Sequence, residues 1–159
     1  MTWLSHQVVT GTVVFALTED PLLTLFGMVG AVVPDKLEGN PFRRRHFWSI
    51  NLAHRGWSHA PLLYLLFMTG LYLYGEGQVL LSYAEVFAIK ALFCVALGAV
   101  LHIVEDGICG TVPLLTPSSR VGVKLFKVGS VKEYLEVLLL VAAVYAVKVA
   151  TGSGAVVVF

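Results

Sequence analysis

The chain has 159 residues and a net charge of +1, with 57% of its residues apolar and only 13% charged. Soluble domains carry about 25% charged residues to cover their surface. That composition, with a mean hydropathy of +0.81, excludes an ordinary soluble globule and points to one integral membrane domain over residues 1–159.

Nothing in the charge balance suggests nucleic acid as a partner. Two cysteines, Cys94 and Cys109, cannot build a disulfide framework, and Cys94 sits in an apolar run as a small packing residue. The opening "MTWLSHQVV" lacks a basic n-region, and "TEDP" at 18–21 interrupts the apolar run, so a cleaved signal peptide is not expected.

Five apolar segments follow in chain order. The first two, 7–17 and 21–33, are short, and Thr18-Glu19-Asp20-Pro21 between them reads as a helix stop and a capped restart with proline at the first helical position. Neither reaches the roughly 20 residues that a perpendicular span needs; they suit a hairpin that dips partway or tilts against longer neighbours. The third is 60–74, "APLLYLLFMTGLYLY", with Ser58 as the expected cap. The fourth is 84–104 and the fifth 134–150. The expected fold is an all-α polytopic membrane bundle of about five segments, without internal repeats.

The loops set the orientation. Residues 36–55 carry Lys36, Arg43, Arg44, Arg45 and Arg55, and residues 107–133 carry Arg120, Lys124, Lys127 and Lys132. The turn at 75–83 has neither lysine nor arginine. The positive-inside rule therefore places both basic loops and the N-terminus in the cytoplasm, and the 75–83 turn and the C-terminus outside.

On that topology His6, Asp35, His54, His59, His102, Asp106 and Glu133 all fall at the cytoplasmic ends of their segments. Ionisable groups bordering membrane spans mark functional sites, and imidazole with carboxylate is a divalent-metal inventory. In "HIVED", His102 and Asp106 stand at i and i+4 on one helix face. Glu105, one residue earlier, points elsewhere on that helix and stays outside the set. "HRGWSH" is locally weaker. Five helical residues rotate a side chain by about 140°, so His54 and His59 converge only if the backbone turns at Gly56. Arg55 between them suits either a phosphate clamp or a snorkelling anchor. "RRRHFW" at 43–48, with His46, reads as a headgroup anchor.

The ordered elements "SHQVVTG", "GAVVPD", "HRGWSH", "LGAVLHIVEDGICGTVPLLTP" and "KVGSVKEYLE" resemble the LexA-binding, inner-membrane-associated metal-dependent hydrolase family over roughly residues 5–136. The resemblance implies a small helical protein of a bacterial-type inner membrane. It implies metal ligands at His6, Asp35, His54, His59, His102 and Asp106, with Glu133 as a further member of the site. Relatives often read Pro-Asp-x-Asp where this chain has Pro34-Asp35-Lys36-Leu37, and Glu38 is one residue out of register. The architecture is also similar to helical zinc-dependent phospholipases C, by analogy only.

The expectation is a hydrolase at the cytoplasmic face acting on a phosphoester or other ester of a lipid or lipid-linked substrate. Zinc is the expected ion, one or two of them, with manganese or iron as alternatives. Arg55 would stabilise charge, and Asp35 or Glu133 would act as general base. The alternative is a membrane-bound interaction or regulatory protein with a structural metal and a protein partner, by the family's name a transcriptional repressor. A transporter would place ionisable groups at the bilayer midplane, where only Lys90 and Lys148 are candidates.

Overall fold

A computed structural model describes residues 1–38, 56–78, 80–114 and 119–152. His54, Arg55 and the 43–48 anchor lie outside the described residues.

The N-terminal hairpin forms as its punctuation dictates. Helix α1 (Trp3–Thr18) starts at Thr2, whose hydroxyl accepts the Ser5 N–H, and ends at Glu19 in the left-handed region, φ 53°. The Asp20 carboxylate accepts the N–H groups of Leu22 and Leu23, and Pro21 opens α2 (Pro21–Gly30). A short α3 (Val33–Glu38) follows. After a 3₁₀ turn at Trp57–His59 come α4 (Pro61–Gly77), α5 (Tyr83–Cys109) and α6 (Val131–Thr151). Ser82 and Glu85 form a reciprocal capping box at the start of α5.

Ser58 does not cap α4. The N-cap residue is Ala60, which makes no side-chain capping bond, because its methyl side chain carries no acceptor for the N–H groups of the first turn. Ser58 lies in the 3₁₀ turn instead, its hydroxyl 3.1 Å from His59 Nδ1, and its carbonyl accepts the Tyr64 hydroxyl at 2.9 Å. Between α5 and α6 the chain makes a two-stranded antiparallel ribbon, β1 (Val112–Pro113) with β2 (Arg120–Val121), pairing Val112 with Val121.

Helix α2 lies along α5, α1 packs between α2 and α6, and α4 covers another side of α5. Val14, Leu23, Ala91 and Cys94 form the buried core, with Phe26 and Phe87 in an edge contact beside it at 6.0 Å. The approach of α2 to α5 is backbone to backbone. A Cβ on Gly30 would overlap the Val95 carbonyl, and one on Gly98 would overlap the Gly27 carbonyl. Small residues at a crossing are how membrane helices gain van der Waals contact where lipid removes the hydrophobic drive.

Helices α5 and α6 are long and apolar enough to cross a membrane. At 16, 10 and 17 residues, α1, α2 and α4 fall short of the roughly 20 residues of a full span. The bundle is thus helical as expected, with two candidate spans among the described residues. Helix α4 buries none of its residues and α6 buries only Glu133. Leu66, Leu73, Leu138 and Leu139 are each more than 60% exposed, a surface that suits lipid and not water.

With so little apolar burial, α6 is laced to α1 by polar contacts at both ends. Glu133 accepts hydrogen bonds from Thr2 N–H (2.7 Å), the Ser5 hydroxyl (2.5 Å) and Gly129 N–H (2.6 Å). At the far end Lys148 pairs with Glu19 at 2.7 Å and donates to the Ala16 carbonyl at 3.3 Å.

Three stability outcomes rest on this packing. Gly98→Leu should destabilise the detergent-solubilised protein by about 1–3 kcal/mol or more through overpacking. Gly70→Ala, at a position with open space around it, should leave the melting temperature unchanged or slightly raised. Glu133→Ala, which strands three donors, should cost about 1–3 kcal/mol. Thermal unfolding followed by circular dichroism reads all three.

Candidate metal centre

Four elements deliver side chains to one place. The first turn of α1 brings Trp3 and His6, α3 brings Asp35, the 3₁₀ turn brings His59, and the last two turns of α5 bring His102, Glu105 and Asp106. His6, His59 and His102 are 1% exposed or less, and Asp106 is 3% exposed.

The distances are those of a ligand set. His59 Nε2 lies 3.5 Å from Asp35 Oδ1 and 3.7 Å from Asp106 Oδ2, and His102 Nε2 lies 3.6 and 3.7 Å from the same two oxygens. Ligand atoms about 2.1 Å from one tetrahedral ion stand about 3.4 Å apart. These four atoms are therefore spaced slightly wider than a closed tetrahedral shell. The other oxygen of Asp106, Oδ1, faces His6 Nε2 at 3.4 Å. Two triads meet the spacing for a metal ion, His6–His102–Asp106 and Asp35–His59–His102, with His102 common to both. Both ring nitrogens of His102 and Nε2 of His6 are buried without a hydrogen-bond partner. Buried polar atoms normally have one, so the donor set fits a divalent cation.

His6, His59 and Asp35 are held from behind. His6 Nδ1 is 2.7 Å from Glu105 Oε2, and the His6 ring lies 3.9 Å from that of His102. Ser58 holds His59 Nδ1. The Trp3 indole N–H donates to Asp35 Oδ2 at 2.7 Å, which leaves Oδ1 for the histidines. Lys36 sits 4.8 Å over the Trp3 ring. Partners of this kind fix ring orientation and raise ligand basicity. Burial opposes charge on Asp35, but His102, His59 and the Trp3 N–H outweigh it and hold the carboxyl well below the usual carboxylate range. The cluster also attracts a cation from the chain itself. The Met1 ammonium donates to Asp106 Oδ1 at 2.8 Å and lies 3.1 Å from Cys109 Sγ.

Of the site residues expected from the sequence, the fold brings together His6, Asp35, His59, His102 and Asp106. Glu133 is held apart by its own three donors on α1 and the Gly129 turn. His54 and Arg55 lie outside the described residues. Three contributors escaped the sequence reading. Helical spacing alone puts Glu105 off the face of His102 and Asp106, yet it is buried at 2% and faces His6. A pocket walled by both α1 and the 3₁₀ turn takes neighbouring positions of one helix. Trp3 carried a signal, lying one turn before His6. Ser58 was legible as a polar helix-end residue, although the group it holds was not.

Compared with known families, the chain matches the YdjM inner membrane protein family over residues 1–159. No curated protein and no solved structure matches it. The inner-membrane part of the resemblance drawn from the motifs is thereby shown; LexA binding and hydrolysis are not contained in the match. Because the match spans the whole chain, the protein belongs to the YdjM inner membrane protein family.

Proposed function

We propose that the protein is a metal-dependent hydrolase that acts at the cytoplasmic face of the inner membrane on a phosphoester or ester of a lipid or lipid-linked molecule. The observation that carries this reading is the convergence of Asp35 Oδ1, His59 Nε2, His102 Nε2 and Asp106 Oδ2 at 3.5–3.7 Å. The cytoplasmic assignment rests on Arg120, Lys124, Lys127 and Lys132, which share the cluster's end of the bundle.

Zinc suits three imidazoles and two carboxylates, with manganese or iron as alternatives. Such an ion supplies Lewis acidity and an acidified water. His59, His102, Asp35 and Asp106 would hold it, and His6 lies against the second oxygen of Asp106, within reach of a second ion. Asp35, with its side chain 23% exposed, forms the open edge through which a substrate reaches an otherwise enclosed cluster. Trp3 keeps its carboxylate turned inward. His6 and Glu105 form the pair suited to moving a proton, since Glu105 orients the ring and leaves Nε2 at the cluster. Glu133 is better suited to bracing α1 and α6 than to acting as base, because three donors occupy its oxygens. Arg55 and His54, directly before Gly56, remain the sequence's candidates for charge stabilisation and a further ligand.

One observation favours a second reading. Structural metal sites are closed, and His59 and His102 have no exposed surface. A membrane-bound interaction or regulatory protein with a structural metal would share that burial.

Metal analysis of the purified full chain tests the site. The wild type should retain near-stoichiometric divalent metal, and His59→Ala and His102→Ala should lose it. Glu105→Gln should weaken metal affinity by about 10–100-fold while the helical content is kept. Unchanged metal in both alanine variants would sink the proposal. A metal-loaded protein that turns over neither phospholipids nor phosphomonoesters would assign the metal a structural role.

A further inference from the structure

The basic loop between α5 and α6 encloses an open cavity of about 840 Å³ beside the cluster, lined by Cys109, Lys124, Phe126, Lys127, Ser130 and Lys132 among others. Cys109 joins the two places, as it lines the cavity and its thiol is 3.7 Å from Asp106 Oδ1.

Three features give the cavity an anionic ligand. Lys124, Lys127 and Lys132 have no acidic partner among the described residues. The nearby carboxylate of Glu133 is turned to Thr2, Ser5 and Gly129. Ser130 is the N-cap residue of α6 but makes no capping bond, and its hydroxyl is buried in the cavity wall without a hydrogen-bond partner. The positive end of the 21-residue α6 opens at the same point. Cations alone would be the ordinary solvated rim of a membrane protein. An orphaned hydroxyl in the wall at a helix N-terminus, with three lysines lining the same cavity, makes a basic, donor-bearing site for an oxyanion.

The walls between the cations are apolar and open. Leu125 is 57%, Val128 56% and Val131 75% exposed. A soluble phosphoester gains nothing from such surface, whereas a lipid places its glycerol and first methylenes there. We propose that this cavity binds the phosphate headgroup of an anionic lipid, with the phosphate on Lys124, Lys127, Lys132 and Ser130 and the acyl chains along Leu125, Val128 and Val131. That the lipid is also the substrate rests on the hydrolase reading, and it narrows that reading to lipid phosphoesters. Binding itself does not depend on it.

Native mass spectrometry of the full chain in detergent provides the test, with phosphatidic acid, phosphatidylcholine of the same acyl chains, and inorganic phosphate as probes. The wild type should bind phosphatidic acid at least tenfold more tightly than phosphatidylcholine. Each lysine-to-alanine change should weaken it by about fivefold. Ser130→Ala should weaken it without lowering the melting temperature, since no cap is lost. Lysine-to-arginine variants should retain binding and keep the test decisive if the triple alanine variant does not fold. Equal binding of the two lipids, or wild-type binding by a folded triple alanine variant, would overturn the proposal. Displacement of the lipid by inorganic phosphate would overturn it in favour of a soluble anion. His59→Ala should bind phosphatidic acid as the wild type does, so failure of the metal reading and failure of the lipid site register separately.

Discussion

The closeness of α2 to α5 decides where everything else can be. Gly27, Gly30 and Gly98 let two backbones touch, and any side chain at Gly30 or Gly98 would push them apart. Helix α5 carries His102, Glu105 and Asp106, and α2 leads directly into α3 and Asp35. A separation of one methyl group would therefore open the distances of 3.5–3.7 Å on which a common ligand set depends. Close packing in lipid is thus also the metrical control of the site.

The second constraint is electrostatic. Three histidines and the carboxylates of Glu105 and Asp106 lie almost wholly out of solvent, where isolated charge is costly. The cluster meets that cost by sharing. Asp106 presents one oxygen to His6 and the other to His59 and His102, while Glu105, Ser58 and Trp3 engage the atoms facing outward. Among the atoms left without a hydrogen-bond partner are His6 Nε2 and His102 Nε2, which face the shared carboxylates and which a cation would complete. The same logic extends to the α5–α6 loop with the sign reversed, where ammonium groups and an orphaned hydroxyl surround a space suited to an anion. Cys109 stands between the two, so a headgroup held in the cavity lies one side chain from Asp106.

Much of this was legible along the chain. The segments at 60–74, 84–104 and 134–150 became Pro61–Gly77, Tyr83–Cys109 and Val131–Thr151, because a continuous apolar run in lipid has no better way to satisfy its backbone than a helix. The TEDP stop and restart formed from the cap and proline expected of it. The short ribbon at Val112 and Val121 was not anticipated, since two-residue strands have no periodicity to read. Glu105 was missed for a related reason. Helical spacing tells which residues share a face, but not how many faces the surrounding elements will cover.

Hydropathy, helix punctuation and loop charge are local or additive along the chain, so they determined the helices, their ends and the end of the bundle that collects histidine and acid. Which of those residues meet is a matter of ångströms between segments far apart in sequence. Asp35 and His102, or His6 and Glu105, are joined only by the approach of α1, α2 and the 3₁₀ turn to α5. That approach set Glu133 to bracing α6, set Ser58 behind His59 instead of capping α4, and turned a scattered inventory into two spaced triads. It depends on glycine contacts and shared carboxylate oxygens, which no single segment contains.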